Sequence, residues 1–444
     1  MQNWQRGKGE MSDLEGWEYK KIEDLALLDK EKLGEDAKKD FSFYYIDISS
    51  VSEGKLRLPF YKISFSEAPS RARKVVRRGD VLMSMVRPNL KAFAYFDHTD
   101  DDSIASTGFA VLSAKDQVDA KFVLYSILSE YVTPQIETLV VGSNYPAINL
   151  NAVRGLQVLV PSFAEQTKIA EILSTLDKAI EQTEALIAKQ QRIKAGLMQD
   201  LLTRGIDEHG NLRSEQTHKF KDSSLGRIPM EWDLVPLISF ASRSPDSFVN
   251  GPFGSDLLAS ELQVEGVPVI YIRDIRPGLY QRVSTVHVTQ TKANHLAACN
   301  VHCGDILISK VGDPPCDAAL YTHQERAIIT QDVIRIRPSN EVEANFLCHL
   351  LNSHVGRKAV KEIIIQGTRA RVSLTEFKTL KLPKPHREEQ LLIADALESV
   401  AQDIQQGQIC LDKLKLLKTA LMQDLLSGKK RVTSLLIKTE LPAL

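Results

Sequence analysis

A stretch of 42 residues that occurs twice constrains the fold of this chain more than any other feature. Residues 161–202 and residues 385–426 align at a constant offset of 224 without a gap, and 16 of the 42 positions are identical. The shared positions include the whole run LMQDLL at the end of each copy. Because an internal repeat duplicates a structural unit, it predicts the architecture before any single motif does.

Both copies are predicted to be long helices that open at Pro161 and Pro385, because apolar residues recur in each at spacings of three and four. The apolar positions are Ile169, Leu173, Leu176, Ile180, Ile187, Leu197 and Leu201 in the first copy, and Ile393, Leu397, Val400, Ile404, Leu411, Leu414, Leu421 and Leu425 in the second. A seam of this kind is typical of two-stranded coiled coils, and about 40 residues far exceed the usual core helix of roughly 11. We expect the two helices to pair with each other as an antiparallel coiled coil.

Length and composition indicate a globular protein of two to four domains. The chain has 444 residues, of which 43% are apolar and 25% are charged, and its formal net charge is −1. The sequence contains no run of about 18 apolar residues that would predict a membrane span. Its first ten residues lack the apolar core of a signal peptide. Five cysteines, an odd number, favour a reducing cytoplasm.

Residues 12–160 are predicted to form an α+β domain that consists mostly of strands. Short runs of β-branched and aromatic residues, separated by Gly, Pro and Asp, precede one amphipathic helix at about Ala120–Leu139. The run RARKVVRR at 71–78 holds five cations and no acid. It fits either a solvated loop or edge strand, or a contact with DNA phosphates, and both interpretations stay open here.

The first domain is repeated in the second half of the chain. Trp17 aligns with Trp232 and Gly79 with Gly304, and we expect these residues to serve packing and turns. The whole chain is therefore predicted as domain, helix, domain, helix, with loops that differ on a shared scaffold. The predicted segments are a leader or disordered N-terminus (1–11), a first domain (12–160), a first long helix (161–204), a linker (205–222), a second domain (223–384), a second long helix (385–428) and a C-terminal tail (429–444).

No catalytic or metal-binding motif of the sequence is complete. GDPPC at 312–316 places Cys316 where amino-methyltransferases carry a stacking aromatic, and no glycine-rich cofactor loop opens a βαβ unit. Cys299, His302 and Cys303 lack a second ligand pair at zinc-finger spacing, so we expect ordinary thiols there. The sequence therefore predicts a binding protein that is not an enzyme and holds no cofactor or metal of its own.

The duplicated order of domain and helix resembles the specificity subunit of type I restriction-modification enzymes. The motifs that carry the resemblance are SSLGRIPMEWDLVPL (223–237), NGPFGSDL (250–257), GDILISKVG (304–312), RPNLKAFAYF (87–96) and LMQDLL at the end of each helix. The resemblance implies two target recognition domains that each read half of a split, asymmetric sequence in double-stranded DNA, held apart by the helices over unspecified base pairs. It also implies two modification subunits that bind S-adenosylmethionine, and restriction subunits that use ATP and Mg, translocate and cut DNA.

Loops that differ between the repeats are the predicted DNA contacts, because Arg, Asn, Ser and Thr side chains can read base edges while cations bind phosphates. The candidate residues are Arg71, Arg73, Arg87, Asn89, Lys91, Ser143, Asn144 and Tyr145 in the first domain, and Ser255, Arg273, Lys310, Thr368, Arg369 and Arg371 in the second.

Two other functions are possible for such a chain. It could be a stand-alone DNA-bridging or antitoxin-like scaffold without a methyltransferase partner, or an enzyme with its own methyl transfer. Co-purification separates these alternatives: the specificity subunit requires modification subunits, the scaffold does not, and the enzyme binds the cofactor by itself.

Overall fold

The boundary between the two units of the molecule falls inside both long helices. The computed structural model describes residues 15–52, 54–99, 102–142, 145–312, 314–364 and 370–436. The first unit comprises Met1–Glu184 and Ile409–Leu444, and the second comprises Ala185–Gln408. The predicted leader, residues 1–11, lies outside the described residues.

Short strands make up most of the globular part of the first unit. They are β1 (Glu18–Lys21), β2 (Ala26–Leu28), β3 (Ser42–Ile46), β4 (Val51–Ser52), β5 (Lys55–Leu56), β6 (Ile63–Ser64), β7 (Ala72–Val76), β8 (Val81–Ser84), β9 (Phe93–Tyr95), β10 (Ser103–Ser106), β11 (Phe109–Ala114) and β12 (Gln157–Val160). They form two four-stranded sheets, ordered β6–β3–β10–β7 and β2–β11–β8–β9, and the ribbons β1–β12 and β4–β5. In the first sheet β3 and β10 are parallel, and the other pairs are antiparallel.

Side-chain alternation explains how these strands pack. In β7, Ala72, Lys74 and Val76 point inward and the residues between them are half-exposed, as a strand with one buried face requires. Strand β8, by contrast, is buried along its length. Its Leu82 packs in the core between the two sheets, whereas Val81 belongs to a second core that also contains the helix residues of this unit. The second sheet thus lies between the first sheet and the helices.

The first five helices of the described chain begin before Glu184, and the last of them continues into the second unit. They are α1 (Ile22–Leu25), α2 (Ala120–Leu128), α3 (Thr133–Leu139), α4 (Leu150–Gly155) and α5 (Phe163–Leu201). The prediction of one helix over about Ala120–Leu139 is wrong, because α2 ends where Ser129 takes an extended conformation. Pro134 then occupies the first turn of α3, where its missing amide hydrogen costs nothing.

The second unit repeats this arrangement. Its strands are β13 (Phe220–Ser223), β14 (Gly226–Pro229), β15 (Asp233–Pro236), β16 (Phe248–Asn250), β17 (Val267–Ile270), β18 (Ile275–Arg276), β19 (Leu279–Tyr280), β20 (His287–Val288), β21 (Asn300–Val301), β22 (Ile306–Ser309), β23 (Ala318–Leu320), β24 (Ala327–Ile329), β25 (Val333–Ile336) and β26 (Lys381–Lys384). The sheets are ordered β20–β17–β24–β21 and β16–β25–β22–β23, and β17 and β24 are parallel. Each strand order matches its counterpart in the first unit, so the predicted duplication is confirmed.

The remaining helices are α6 (Gln290–His295), α7 (Ala344–Asn352), α8 (His354–Lys361), α9 (Leu374–Thr379), α10 (Arg387–Leu426) and α11 (Thr433–Leu436). The long helices α5 and α10 have 39 and 40 residues. Each begins two residues after the proline that was predicted to open it. None of the helices among the described residues has the length and apolar character needed to cross a membrane.

The long helices pair antiparallel within each unit, as predicted. In the first unit, Lys418 lies 2.5 Å from Asp177 and Lys415 lies 3.0 Å from Glu184. Residue numbers therefore rise along one helix where they fall along the other. In the second unit, Leu201 shares a core with Ile393 and Leu397. All the predicted seam residues are buried or half-buried, which confirms the seam.

Residues that are identical in the two copies make the same contacts. The side chain of Gln166 donates to the carbonyl of Pro161 at 3.0 Å and accepts from the amide of Asp119 at 3.1 Å. Gln390 makes the same bonds to Pro385, at 2.8 Å, and to Glu343, at 3.0 Å. Each buried glutamine therefore ties the start of a long helix to the N-cap of α2 or α7.

The residues predicted to serve packing and turns are confirmed in that role. Trp17 and Trp232 are buried. Gly79 has φ 96° and Gly304 has φ 94°, and each lies in the tight turn before a central strand. That left-handed conformation is one that a residue with a Cβ rarely adopts, so both turns require glycine.

Candidate nucleic-acid interface

In the first unit, several loops meet around the turn Thr107–Gly108, between β10 and β11. The amide of Thr107 donates to the carbonyl of Arg71 at 2.8 Å, and the amide of Met85 donates to the carbonyl of Gly108 at 2.8 Å. These bonds hold the loop before β7 and the loop after β8 on either side of the turn. We call Arg71, the turn, residues 85–90 and residues 145–147 the first loop surface.

Arg87 and Tyr145 present a cation and an aromatic ring together on the first loop surface. The guanidinium of Arg87 lies 5.4 Å from the centroid of the Tyr145 ring, and its amide donates to the carbonyl of Pro146 at 2.7 Å. Asn89 is exposed in the short 3-10 helix Pro88–Leu90 that follows. Exposed Arg and Asn side chains on a fixed backbone suit hydrogen bonds to base edges.

The basic run 71–78 is edge strand β7 with its flanking residues, and part of it is structural. Lys74 is buried, with its ammonium 2.8 Å from Asp29. Arg77 pairs with Glu31 at 3.0 Å, and Arg78 pairs with Asp97 at 3.1 Å, at the end of β7 opposite to Arg71. These three carboxylates were not apparent as partners in the sequence because they are distant along the chain.

The two predicted contacts in this run differ in their surroundings. Arg71 is exposed on the first loop surface, and its Nε donates to the hydroxyl of Tyr45 at 3.0 Å. This hydrogen bond raises the pKa of the Arg71 guanidinium, which therefore stays charged. Arg73 is half-buried and lies 5.4 Å from the centroid of the Phe65 ring.

Lys91 points away from the other candidates. Its ammonium donates to the carbonyl of Leu128 at 3.1 Å, at the carboxyl end of α2, where a cation complements the helix dipole. It lines a cavity of about 650 Å³ together with Lys415 and Lys418 of α10. Ser143 and Asn144, which were also predicted to contact DNA, lie outside the described residues.

The second unit builds an equivalent surface with different side chains. The amide of Lys310 donates to the carbonyl of Asp332 at 2.8 Å, and the amide of Gly312 donates to the carbonyl of Ala370 at 3.3 Å. Arg371 is exposed beside Val311, with which it forms a β-bridge. Thr368 and Arg369 lie outside the described residues. We call residues 310–312, the turn 330–332 and residues 370–371 the second loop surface.

Ser255 lies in a loop that adjoins the second loop surface. A Cβ atom added at Gly251 would lie 2.2 Å from the carbonyl oxygen of Thr330, so this loop packs against the turn 330–332 and requires glycine. Ser255 is exposed further along the same loop.

Arg273 also lies next to this turn, in the 3-10 helix Ile272–Asp274. The amide of Thr330 donates to the carbonyl of Ile270 at 3.1 Å, which brings the two segments together. The Arg273 guanidinium donates to the Ser284 hydroxyl at 2.7 Å.

The two incomplete motifs, at Cys316 and at His302–Cys303, lie in structural environments that explain these side chains. Burial raises the pKa of the Cys316 thiol to about 12, so this thiol stays protonated and unreactive. The Arg337 guanidinium donates to Nδ1 of His302 at 3.0 Å, while the Cys303 thiol donates to the carbonyl of Thr322. Within the described ranges, no three His, Cys, Asp or Glu side chains form a group that could hold a metal ion.

The two loop surfaces lie on two copies of one known domain. Residues 14–190 and 257–410 match the type I restriction modification DNA specificity domain. The chain belongs to this family. It is a DNA sequence-recognition subunit and a non-catalytic component of its restriction-modification enzyme, as the sequence analysis predicted.

Relatives of the specificity family match most of the chain. The type I restriction enzyme MjaVIII specificity subunit of Methanocaldococcus jannaschii is 26% identical over 338 residues, which are 75% of each chain. The putative MjaX specificity subunit of the same organism is 24% identical over 435 residues, which are 94% of each chain.

Two solved structures share the fold. A chain from a study of complex assembly and conformational transition in the type I restriction-modification system has a TM-score of 0.55 at 23% identity, covering 94% of this chain and 99% of that chain. The specificity subunit from M. genitalium has a TM-score of 0.57 at 16% identity, covering 92% of this chain and 96% of that chain.

Three exposed aromatic residues in loops of the two domains were not among the predicted contacts. These are Phe60, Tyr61 and Phe253. Each follows a proline closely, in PFY and GPF, and an aromatic residue in a proline-containing loop between short strands is the signal that would have found them.

Proposed function

We propose that the two loop surfaces read the two halves of an asymmetric, bipartite site in double-stranded DNA. The supporting observation is that matching backbone bonds tie the loop after β8 or β22 to the turn and to residue 146 or 370, while the side chains presented there differ. The first surface offers Arg87, Asn89 and Tyr145, and the second offers Lys310 and Arg371. Variable loops on a shared scaffold suit one task performed on two targets.

The roles within each surface follow from side-chain chemistry. Arg87, Asn89 and Arg371 read base edges, because guanidinium and amide groups form paired hydrogen bonds there. Arg71, Arg73, Arg273 and Lys310 position the DNA backbone by binding phosphates, whereas Lys91 is held at the end of α2. Ser143, Asn144, Tyr145, Ser255, Thr368 and Arg369 complete the proposed set of contacts.

The long helices α5 and α10 set the unspecified spacer between the half-sites. Segments 12–160 and 223–384 are the two target recognition domains in this proposal. Two modification subunits dock on exposed apolar residues of the helices, which include Leu186, Ile193, Leu392, Leu416 and Leu417. Those partners bind S-adenosylmethionine, and restriction subunits bind ATP and Mg. Because these partners act on DNA inside the cell, we place the chain in the cytoplasm.

Single substitutions test the division between half-sites. Arg371→Ala should relax specificity in one half of the methylated sequence, and Arg87→Ala should relax it in the other. Loss of one paired base contact costs about 1–3 kcal/mol at the base concerned. The measurement is methylation sequencing in cells that carry the chain with its modification subunits.

Arg78→Ala is the matched control, because Arg78 is an exposed arginine that pairs with Asp97 away from the first loop surface. It should leave both halves of the methylated sequence unchanged. Relaxation of both halves by either Arg87→Ala or Arg371→Ala would contradict the proposal. A wild-type chain that purifies without modification subunits and still bridges DNA would support the scaffold alternative instead.

A further inference from the structure

The segment between β5 and β6 presents two aromatic rings to solvent. Phe60 is 104% exposed and Tyr61 is 71% exposed. No other large apolar side chain in the described ranges is as exposed as Phe60. Two adjacent aromatic rings that are exposed to solvent indicate a surface that another molecule covers.

Contacts on both sides hold this projecting segment in place. Leu58 packs against the apolar core between the two sheets of the first unit. Lys62 forms an ion pair with Asp102 at 3.0 Å, and its ammonium lies 5.3 Å from the centroid of the Tyr44 ring. Because both flanks are anchored, the exposure of the rings is a feature of the fold and not of a frayed end.

The segment adjoins the first loop surface and carries positive charge. The amide of Arg57 donates to the carbonyl of Ser50 at 2.8 Å, at the end of the 3-10 helix Ile48–Ser50. That 3-10 helix contacts the central turn, since a Cβ added at Gly108 would lie 3.3 Å from the side chain of Ile48. Arg57 is exposed, and Lys62 lies on the other side of the rings.

The equivalent segment of the second unit is built differently. Between β19 and β20, the amides of Val283 and Ser284 donate to the buried carboxylate of Asp274 at 2.8 Å and 2.7 Å. Arg282 pairs there with Glu325 at 3.3 Å. This segment contains no aromatic residue and is tied down by its own backbone, so the projecting rings belong to the first unit only.

We propose that Phe60 and Tyr61 form an aromatic wedge that enters one base-pair step of the first half-site and partly unstacks it. The inference rests on the proposed function and names a further specificity-determining element of that site. Apolar side chains inserted between base pairs kink the duplex, and the exposed flanking cation Arg57 neutralises a phosphate that the kink brings closer. The wedge favours a flexible pyrimidine–purine step, and so it selects sequence without a hydrogen bond to a base.

The test uses the full chain assembled with its modification subunits and a duplex whose site is known from methylation sequencing. 2-Aminopurine replaces one adenine at a time in the first half-site, and its fluorescence rises where a base unstacks. The variant Phe60→Ala/Tyr61→Ala should lose this rise and should bind the specific duplex roughly tenfold to a hundredfold more weakly. Its binding to unrelated DNA should stay unchanged. Phe60→Trp, which keeps an aromatic ring, should restore both signals when Tyr61 is intact.

The possible outcomes separate the wedge from the proposed function. A variant with wild-type fluorescence and affinity overturns the wedge while bipartite recognition stands. A third outcome is a variant that binds modification subunits more weakly, although the complexes that do form bind DNA normally. That outcome would show that the rings contact protein, and it also overturns the wedge. If the wild-type assembly does not prefer the bipartite duplex, the proposed function itself fails. Near-ultraviolet circular dichroism of the variant verifies that the first unit is folded.

Discussion

Each long helix begins near a glutamate that binds an arginine, and the arginine in the second unit is more deeply buried than the arginine in the first. Glu389 binds Arg213 at 3.2 Å and also accepts from the Trp232 indole and the Ile206 amide, both at 3.0 Å. The side chains of Arg213 and Glu389 are 9% and 10% exposed. The linker that supplies Arg213 is therefore part of the core of the second unit.

The first unit makes the same pairing with residues from the C-terminal tail. Glu165 binds Arg431 at 2.9 Å and 3.1 Å, and the Arg431 guanidinium lies 5.4 Å from the Trp17 ring. The Arg431 side chain is 30% exposed. Equivalent glutamates thus use arginines from unrelated segments, so the geometry of the pair recurs although the sequence that supplies it does not.

Helix α2 in the first unit and helix α7 in the second contact the long helices through side chains of different charge. In the first unit, the Tyr125 hydroxyl donates to Asp177 at 2.7 Å, and Lys418 binds the same carboxylate. The equivalent position in the second unit is His349, which is buried near Lys194 and lies 3.9 Å from Glu398. Burial, and then the charge of Lys194, lower the pKa of His349 to about 4. One scaffold therefore accepts an ionised network or a neutral imidazole.

Removing the buried arginine should have the largest effect. Arg213→Ala leaves the Glu389 carboxylate buried without its cation, which should destabilise the second unit by about 3–5 kcal/mol. Arg431→Ala should cost the first unit less, because Arg431 is 30% exposed and water can take its place beside the Glu165 carboxylate. Amide hydrogen exchange measures each unit separately, which matters because a chain of two units need not unfold in one step. Equal losses in the two variants would show that burial does not distinguish the pairs.

The pKa of His349 predicts a pH effect confined to the second unit. The folded pKa of about 4 lies below the unfolded value of roughly 6.5, so folding favours the neutral imidazole. The contribution of His349 to the free energy of unfolding is fully present above about pH 6.5. It falls by about 3 kcal/mol as the pH drops to about 4. His349→Phe should remove this component, which is measured as the difference between wild-type and variant urea unfolding at pH 7 and pH 4.5. A pH-independent difference would contradict the prediction.

The hydroxyl of Tyr125 should contribute least. Tyr125→Phe removes one hydrogen bond to Asp177, but Lys418 still binds that carboxylate, so the loss should be about 1 kcal/mol. Hydrogen exchange in α2 should rise in this variant, and exchange in α7 should not change. Asp177→Asn, which also weakens the ion pair, should cost more than Tyr125→Phe. If it costs less, the hydroxyl is more important than the ion pair.

The candidate interface could be predicted only in part. Residues such as Arg87, Asn89 and Arg371 were identified because they lie in loops that differ between repeats, and the structure places them on the loop surfaces. The cluster of cations at 71–78 did not show that Lys74 is buried with Asp29, since that pairing spans 45 residues. The contact of Lys91 with the end of α2 was not predictable either, because its partner is also distant in sequence.

The sequence alone determined the duplication, the strand-rich domains and the paired long helices, because apolar periodicity and internal repetition are local properties of the chain. It also determined the family, through motifs that occur twice in one order. Only the tertiary structure decided which cations face the loop surfaces, which arginine reaches each helix start, and that Phe60 and Tyr61 project. These features depend on contacts between segments far apart in the chain, and the burial and electrostatic energies that select such contacts exist only once the chain has folded.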